Sequence, residues 1–454
     1  MPSWFGRHTF SHGIHPPEFK ELTREFPIRR FPFAPFLVLL LSQHAGKPAR
    51  PIVRERQEVR RGQPLAEADG FVSAPIHAPA AGIIRKIGHA LDTNGQMAPA
   101  IVLEPFPGSG QEVTWGRELD TEALTAKEIV AEIQAMGMVG LGGAAFPAHV
   151  KFSLPEGKRV DTVIINGCEC EPYLTADHRV MLEQAGEVLL GTRLVARALG
   201  AERAVIAIED NKPDAATVLN AALKTALENG EGGVDHKGIS VQLLPTKYPQ
   251  GAEKMLIKAI LNREVPSGGL PSDVGVMVSN VTTVAEIGTL LPRGQGVIER
   301  VITITGPGVS RPGNYLIPVG TPLNFILEQV GLEHEAREVI FGGPMMGKSV
   351  TWLETPITKG VSGILVLADG KGAKPGKVYP CIRCGECLKA CPMHLNPSML
   401  GLLARGGAYD EMAAEYHLYD CFECGCCAYV CPSRLPLVQS YRVAKGVLRE
   451  RSAA

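Results

Sequence analysis

Two stretches near the C-terminus share one spacing: Cys381-Ile-Arg-Cys384-Gly-Glu-Cys387-Leu-Lys-Ala-Cys391-Pro392 and Cys421-Phe-Glu-Cys424-Gly-Cys-Cys427-Ala-Tyr-Val-Cys431-Pro432. Both follow the pattern C-x2-C-x2-C-x3-C-P. At this spacing three thiolates surround one [4Fe–4S] cluster from a tight loop, and the fourth, on the next helix, ligates the other cluster. The pattern therefore predicts two clusters that share their ligands crosswise.

The crosswise rule gives two ligand sets. Cluster 1 takes Cys381, Cys384, Cys387 and Cys431, and cluster 2 takes Cys421, Cys424, Cys427 and Cys391. Structural zinc is the alternative, but zinc sites use two C-x2-C pairs rather than two runs of four that end in proline. Cys426 is left over and is interpreted as a free thiol beside a cluster. Two such clusters form a one-electron relay rather than a catalytic site for a small substrate.

Composition limits the other possibilities. The chain has 454 residues, of which 45% are hydrophobic and 20% are charged, as in globular proteins with two to four domains. Its formal net charge of -1 gives no basic field for nucleic acid. The longest apolar run, residues 36–41, is a buried strand rather than a bilayer span, which needs about 20 residues. No secretory leader is expected at the start.

The middle of the chain alternates strand and helix signals. Residues 160–166 and 204–208 are apolar runs typical of buried parallel strands. Residues 123–136, 180–199 and 215–227 have helical patterns. This rhythm predicts a doubly wound α/β domain.

A glycine cluster opens this domain, with Gly140, Gly142 and Gly143 followed by Phe146 and then Lys151. Glycines let backbone N–H groups approach a phosphate, and a nearby lysine adds positive charge. The ordinary dinucleotide fingerprint is absent. A tight turn that needs positive φ is the alternative interpretation.

A polar loop follows the first predicted strand and contains Asn166, Cys168, Glu169, Cys170 and Glu171. Ligands of open α/β sheets bind at this end of the strands, where an amide and two carboxylates can hydrogen-bond hydroxyls. A solvated acidic loop is the alternative. The two cysteines alone complete no metal site and are interpreted as small loop residues.

Four motifs in this order resemble the flavoprotein (51 kDa) subunit of respiratory complex I, the last two being Tyr248-Pro-Gln-Gly251-Ala-Glu253 and Ser279-Asn280-Val-Thr-Thr283. The resemblance implies FMN and NAD(H) as cofactors, with Glu253 and Glu171 as the catalytic carboxylates at the nicotinamide nucleotide. It also implies a cofactor-binding set made of Gly140, Gly142, Gly143, Phe146, Lys151, Asn166, Glu169, Tyr248, Asn280 and Thr283. Two positions, Cys168 and Ala252, depart from the acidic residues of that family. A flavin is the group that can divide an electron pair between one-electron clusters.

The predicted fold class is multidomain α/β. Residues 1–117 resemble a barrel-sandwich hybrid domain without a biotinyl lysine, and 118–295 form the FMN/NADH-binding α/β domain. Residues 296–368 resemble a β-grasp (soluble-ligand-binding) domain. A linker at 369–379 leads to a ferredoxin-like, α-helical two-cluster domain at 380–454, in which residues 398–416 are expected to be helical.

Taken in order, the whole chain resembles the RnfC family, the C subunits of Rnf complexes, which are membrane-bound, ion-translocating NADH:ferredoxin oxidoreductases. The most family-specific stretch is Phe10-Ser-His-Gly-Ile-His-Pro-Pro17, interpreted as a loop with surface histidines. The resemblance implies an enzyme subunit that passes electrons reversibly from NADH through FMN and two [4Fe–4S] clusters. The implied partners are an iron–sulfur subunit of the complex and ferredoxin or flavodoxin. Membrane contact would come through partners, at the cytoplasmic face of the bacterial inner membrane.

Two alternatives remain on the sequence alone. A cobalamin reductase-like flavin and iron–sulfur protein matches only from about residue 118 onward, so the N-terminal domain argues against it. A non-enzymatic iron–sulfur scaffold would not respond to NADH.

Overall fold

The computed structural model describes residues 9–108, 110–228, 238–333, 336–368 and 377–453. Most of the predicted linker, residues 369–376, lies outside this part of the chain. The described residues form four β-sheets and a C-terminal group of helices.

Two small antiparallel sheets enclose the core of the N-terminal domain. One has the order β2-β8-β7-β4 and the other has the order β3-β5-β6. Leu37, Leu65 and Ile101 are fully buried between them, because alternate residues of each strand point inward. The strands are β2 Leu37–Leu40, β3 Arg50–Pro51, β4 Glu58–Val59, β5 Pro64–Glu67, β6 Ile76–His77, β7 Gly82–Leu91 and β8 Met97–Pro105.

The residues before Phe31 lie outside this two-sheet unit. Strand β1, Ile28–Arg30, pairs in parallel with β14, Gly313–Pro318, in the sheet of the third domain. Earlier still, Ile14 forms a β-bridge with Tyr248 of the second domain. The opening residues of the predicted unit 1–117 therefore run across the later domains.

The second domain has a four-stranded parallel sheet in the order β11-β10-β9-β12. Its central strands are buried on both faces, as the apolar runs predict. The strands are β9 Thr162–Gly167, β10 Arg203–Glu209, β11 Ile239–Leu244 and β12 Val276–Asn280. The helices are α1 Ala126–Ala135, α2 Ala148–Phe152, α3 Ala176–Glu183, α4 Ala185–Leu199, α5 Pro213–Glu228, α6 Glu253–Leu261 and α7 Val281–Leu290.

The predicted helix at 180–199 is wrong in one respect, because two helices meet at Gln184, whose φ of -132° is not helical. The change of direction lets α4 pack closely on α7. A Cβ added at Gly191 would lie 1.7 Å from the carbonyl oxygen of Val284. The backbones of α4 and α7 thus contact each other directly at Gly191 and Gly288. The helical periodicity of the sequence does not reveal this contact.

The third domain has a mixed six-stranded sheet in the order β1-β14-β13-β17-β15-β16. Helix α8, Leu323–Val330, covers it and buries Leu323, Ile326 and Leu327. This strand and helix arrangement is the predicted β-grasp. Its remaining strands are β13 Glu299–Thr305, β15 Ala336–Phe341, β16 Lys348–Ser349 and β17 Gly363–Ala368.

The C-terminal domain is helical. The stretch expected to be helical at 398–416 contains two helices rather than one, because Gly407 adopts a φ of +70° and ends α10. Tyr441 of α13 donates a hydrogen bond of 2.7 Å to the carbonyl of Pro397 at the start of α10. The helices are α9 Glu386–Ala390, α10 Pro397–Gly406, α11 Tyr409–Ala414, α12 Cys426–Tyr429 and α13 Leu437–Ala453. Among the described residues, no helix has the length and apolar character needed to cross a membrane.

Candidate functional site

The glycine-rich loop lies against the carboxyl end of β12. The amide of Leu141 donates a hydrogen bond of 2.9 Å to Oγ1 of Thr283. A Cβ at Gly142 would lie 3.1 Å from Cβ of Asn280, so glycine permits this approach. Gly143 has a φ of +109° and no atom within 4 Å of a built Cβ. The loop thus presents bare backbone to open space, as a phosphate cradle requires.

The loop is closed at its base. The amide of Gly140 donates a hydrogen bond of 2.8 Å to the carbonyl of Phe146. The Phe146 side chain is 38% exposed. An exposed ring at the mouth of the loop suits stacking on a planar ligand.

A network of buried carboxylates supports Asn280. The Asn280 side chain accepts a hydrogen bond from the amide of Thr283 and donates one of 2.7 Å to Oδ2 of Asp177. The amide of Asp177 in turn donates to Oε1 of Glu169 at 2.7 Å. Burial raises the pKa of Asp177 and raises that of Glu169 to about 7. Sequence reasoning missed Asp177, although its place in the first turn of a helix after a strand-end loop was a usable signal.

Asn166 joins two of the predicted motifs. Its Nδ2 donates a hydrogen bond of 2.8 Å to the carbonyl of Gly251. The amide of Gly251 donates to Sγ of Cys170 at 3.2 Å. Burial raises the pKa of Cys170 and keeps the thiol protonated. Cys170 therefore serves as a small loop residue that accepts a hydrogen bond.

Lys151 and Glu253 pair with each other, with 2.6 Å between Nζ and Oε1. The resemblance implied different ligands for them, the flavin phosphate for the lysine and the nicotinamide nucleotide for the carboxylate. Their side chains are 33% and 37% exposed, so both are accessible to a ligand. Because the two side chains are paired, the flavin phosphate and the nicotinamide nucleotide would bind next to each other if each contacts its implied residue.

Glu171 and Tyr248 lie apart from the glycine-rich loop. The Glu171 carboxylate accepts hydrogen bonds from the amides of Met345, at 3.0 Å, and Met346, at 2.8 Å, in the third domain. Burial raises its pKa to about 6. The Tyr248 hydroxyl donates a hydrogen bond of 2.8 Å to the carbonyl of Cys424. The structure thus directs both predicted ligand-binding side chains towards neighbouring domains.

Two buried lysines, also missed from sequence, fix the loop after β9. Lys20 donates to the carbonyls of Glu169, at 2.8 Å, and Glu171, at 3.0 Å, and burial lowers its pKa. Lys212 donates to the carbonyl of Cys168 at 2.6 Å and pairs with Glu209. Burial acts to lower the pKa of Lys212, but the neighbouring carboxylates of Glu209 and Glu169 outweigh it and raise that pKa.

The C-terminal cysteines gather in two groups. A cavity is lined by the four thiols assigned to cluster 2, namely Cys391, Cys421, Cys424 and Cys427. The four cysteines assigned to cluster 1 are also neighbours. The pKa of Cys387 is raised by burial first and then by the nearby thiolates of Cys384, Cys431 and Cys381. Four thiols around each centre, with the fourth crossing over, are the donor set that a cubane cluster needs. Within the described ranges, no three His, Cys, Asp or Glu side chains are arranged for a single metal ion.

The opening residues of the chain contact both the end of the first cysteine run and the second domain. The amide of Gly13 donates to the carbonyl of Ala390 at 3.2 Å, and the amide of Ile14 donates to the carbonyl of Tyr248 at 2.8 Å. Nδ1 of His12 lies 3.0 Å from the carbonyl oxygen of Cys391. His12 is exposed, as expected for a surface histidine, yet it also bonds the backbone of a predicted cluster ligand.

Comparison with protein-family models finds four matches along the chain. Residues 8–106 match the RnfC barrel sandwich hybrid domain, and residues 133–289 match the Nuo51 FMN-binding domain. Residues 301–349 match the SLBB domain, and residues 377–435 match the 4Fe-4S dicluster domain. The fold class and the flavin and iron–sulfur cofactors predicted from the motifs are confirmed.

Curated relatives extend over nearly the whole chain. The C subunit of the proton-translocating ferredoxin:NAD(+) oxidoreductase complex of Clostridium ljungdahlii is 44% identical over 96% of this chain and 93% of its own length. The chain belongs to the RnfC family. The Na(+)-translocating counterpart from Acetobacterium woodii is 41% identical over 96% of both chains.

Membership of this family favours the electron-transfer complex over the cobalamin reductase alternative, because the match includes the N-terminal domain. Among solved structures, an NAD+-reducing [NiFe]-hydrogenase in the air-oxidized state is similar with a TM-score of 0.49 and 18% identity. That similarity covers 65% of this chain and 55% of that chain.

Proposed function

We propose that the chain exchanges electron pairs with NAD(H) at bound FMN and relays single electrons through cluster 2 and then cluster 1. The receivers are other subunits of an Rnf-type membrane complex, with ferredoxin as the ultimate partner, and the flow is reversible. The chain would sit peripherally at the cytoplasmic face of the membrane. The observation that carries this proposal is the hydrogen bond between Tyr248, from the Gly251 loop, and the carbonyl of Cys424.

The glycine-rich loop and the residues around it would hold the flavin. Open space beside Gly143 leaves room for a phosphate against the backbone of the loop, and the partly exposed Lys151 would add positive charge. Asn166 and Asn280 end adjacent parallel strands, where Asn280 pairs with Asn166 in register. Bound FMN supplies the conversion between two-electron and one-electron transfer.

The nicotinamide nucleotide would approach on the exposed side of this pocket. Phe146 offers a ring for stacking, and Glu253 offers a carboxylate for a hydroxyl or amide of the nucleotide. When both ligands are bound, the ion pair between Glu253 and Lys151 would open, and Glu253 would bind the nucleotide instead. The Glu171 carboxylate accepts hydrogen bonds from the amides of Met345 and Met346, and Met345 in turn contacts Gly425 of the cluster domain. We therefore assign Glu171 to positioning the cluster domain rather than to hydride transfer.

Tyr248 and the Gly251 loop would connect the flavin to cluster 2. Gly251 contacts Asn166 and Cys170 on the flavin side. Three residues earlier, Tyr248 donates its hydrogen bond to Cys424 in the cluster 2 loop, residues 421–429. These bonds would hold the cluster 2 loop in a fixed position relative to the flavin site. This route supports cluster 2 as the first acceptor.

The test is an anaerobic titration of the purified holoprotein with NADH. Bleaching of cluster absorbance and appearance of reduced-cluster EPR signals at stoichiometric NADH are expected. Clusters that respond to dithionite but not to NADH would refute the proposal and favour the non-enzymatic scaffold. Rapid reduction of added cobalamin in place of ferredoxin would favour the cobalamin reductase alternative.

A further inference from the structure

The two cluster loops have the same cysteine spacing but opposite surroundings. In the cluster 1 loop, residues 381–389, the Cys384 thiol is itself exposed. In the cluster 2 loop, residues 421–429, Cys426 and Cys427 are buried, and a Cβ at Gly425 would lie 3.0 Å from the carbonyl oxygen of Met345. Cluster 2 therefore faces the interior of the protein, and cluster 1 faces outward.

Large apolar side chains stand exposed around cluster 1. They are Val378 at 53%, Tyr379 at 53%, Ile382 at 66% and Leu388 at 40%. This segment is held in place, since the amide of Tyr379 donates a hydrogen bond of 3.0 Å to the carbonyl of Ser433. Four exposed apolar side chains beside a redox centre are characteristic of a surface that another protein covers.

The rim of this apolar patch is basic. Lys377, Arg383, Lys389 and Arg434 are exposed there, and the acidic residue Glu386 is already paired with Lys389 at 2.8 Å. The whole chain carries a net charge of -1, so this local excess of positive charge is not a general property of the protein. Positive rims attract partners with acidic surfaces and orient them during encounter.

We infer that this surface, called the cluster 1 face, is where an electron-carrying subunit of the membrane complex docks. The cluster 1 face comprises residues 377–389 and Arg434. The subunit that docks presents an acidic rim around its own one-electron redox group. This inference rests on the proposed function, because the face is useful only if electrons leave through cluster 1. Each electron passes singly, so the chain loses one and the docked subunit gains one.

The test reverses two rim charges that lie outside both cluster loops, in Lys377→Glu/Arg434→Glu. The matched control, Lys127→Glu/Lys224→Glu, reverses two exposed lysines on α1 and α5 of the second domain. Each holoprotein is added to membranes that contain the other subunits but lack this chain. NADH-driven electron transfer into those membranes is then measured against protein concentration and ionic strength.

The rim variant is expected to need about tenfold more protein for half-maximal activity and to lose most of its salt dependence, while the control behaves as the wild type. Iron content and NADH-driven bleaching of the isolated rim variant should equal those of the wild type. Unchanged membrane titration of the rim variant would overturn the inference. The inference would also be overturned if the rim variant transferred electrons normally into the membranes and was slower only in reducing added soluble ferredoxin. If NADH fails to bleach the wild-type clusters, the proposed function fails instead.

Discussion

Replacing Gly13 by alanine should separate flavin reduction from cluster reduction. Gly13 has a φ of +83°, and a Cβ there would lie 2.7 Å from the carbonyl oxygen of Tyr248 and 2.9 Å from Cε of Lys247. The oxygen belongs to the backbone of the second domain, so it has little freedom to move. The segment from Phe10 to Ile14 must therefore shift away from Tyr248 and from Ala390 and Cys391, at the end of the first cysteine run.

The energetic cost has two parts. A left-handed conformation costs an alanine about 1 kcal/mol or more relative to glycine. The shift also breaks the bonds from the amides of Gly13 and Ile14 to Ala390 and Tyr248, at about 1 kcal/mol each. The docked arrangement should lose about 3 kcal/mol, which corresponds to a shift of about a hundredfold in the equilibrium between docked and displaced cluster domains.

Anaerobic stopped-flow absorbance resolves the two steps. Gly13→Ala should reduce its flavin with NADH as fast as the wild type, but its clusters should bleach at least tenfold more slowly. Gly108→Ala is the matched control, because Gly108 has a φ of +72° and no atom near a built Cβ. It carries the conformational cost without the steric clash. Equal cluster bleaching in Gly13→Ala and the control would refute the role given to this segment.

Three further predictions test individual residues. Lys151→Ala should weaken the binding of FMN by about 1.5–3 kcal/mol, the value of a charged hydrogen bond. The flavin content after extensive dialysis measures this loss, and full retention of flavin would contradict the assignment. Glu253→Gln should raise the NADH concentration needed and slow flavin reduction while leaving flavin and iron content intact, and a loss of either cofactor would make the residue structural. Cys391→Ala should damage cluster 2 and spare cluster 1, and EPR of the dithionite-reduced variant decides which signal disappears, with loss of the cluster 1 signal speaking against the crossover.

The local parts of the fold were predictable from the sequence. The apolar runs that became β9 and β10 have the signature of doubly buried strands, and the cysteine spacing specifies a cluster fold on its own. The approach of Gly142 to Asn280 also follows from topology, because parallel strands bring their carboxyl ends to one edge. Each of these features depends on residues that are close in sequence or on a general packing rule.

Contacts between domains were not predictable. Residues 28–30 fall within the predicted unit 1–117 and, as strand β1, pair with β14 of the third domain, because a strand of three residues has too little sequence pattern to specify its sheet. Tyr248 is predicted to be a cofactor-binding residue, and the sequence does not reveal that its hydroxyl bonds the carbonyl of Cys424. The sequence around Gln184 contains one weak helix breaker, Gly186, which does not by itself specify the break that the structure has at Gln184.

The bond between His12 and Cys391 joins residues 379 positions apart. A ribosome must therefore synthesise most of the chain before the opening segment finds its place. Until then Ile14 and Tyr248, both buried in the finished protein, stay open to solvent and to association with other nascent chains. Docking of the opening segment on the last-made domain is therefore a late step in the folding of this chain.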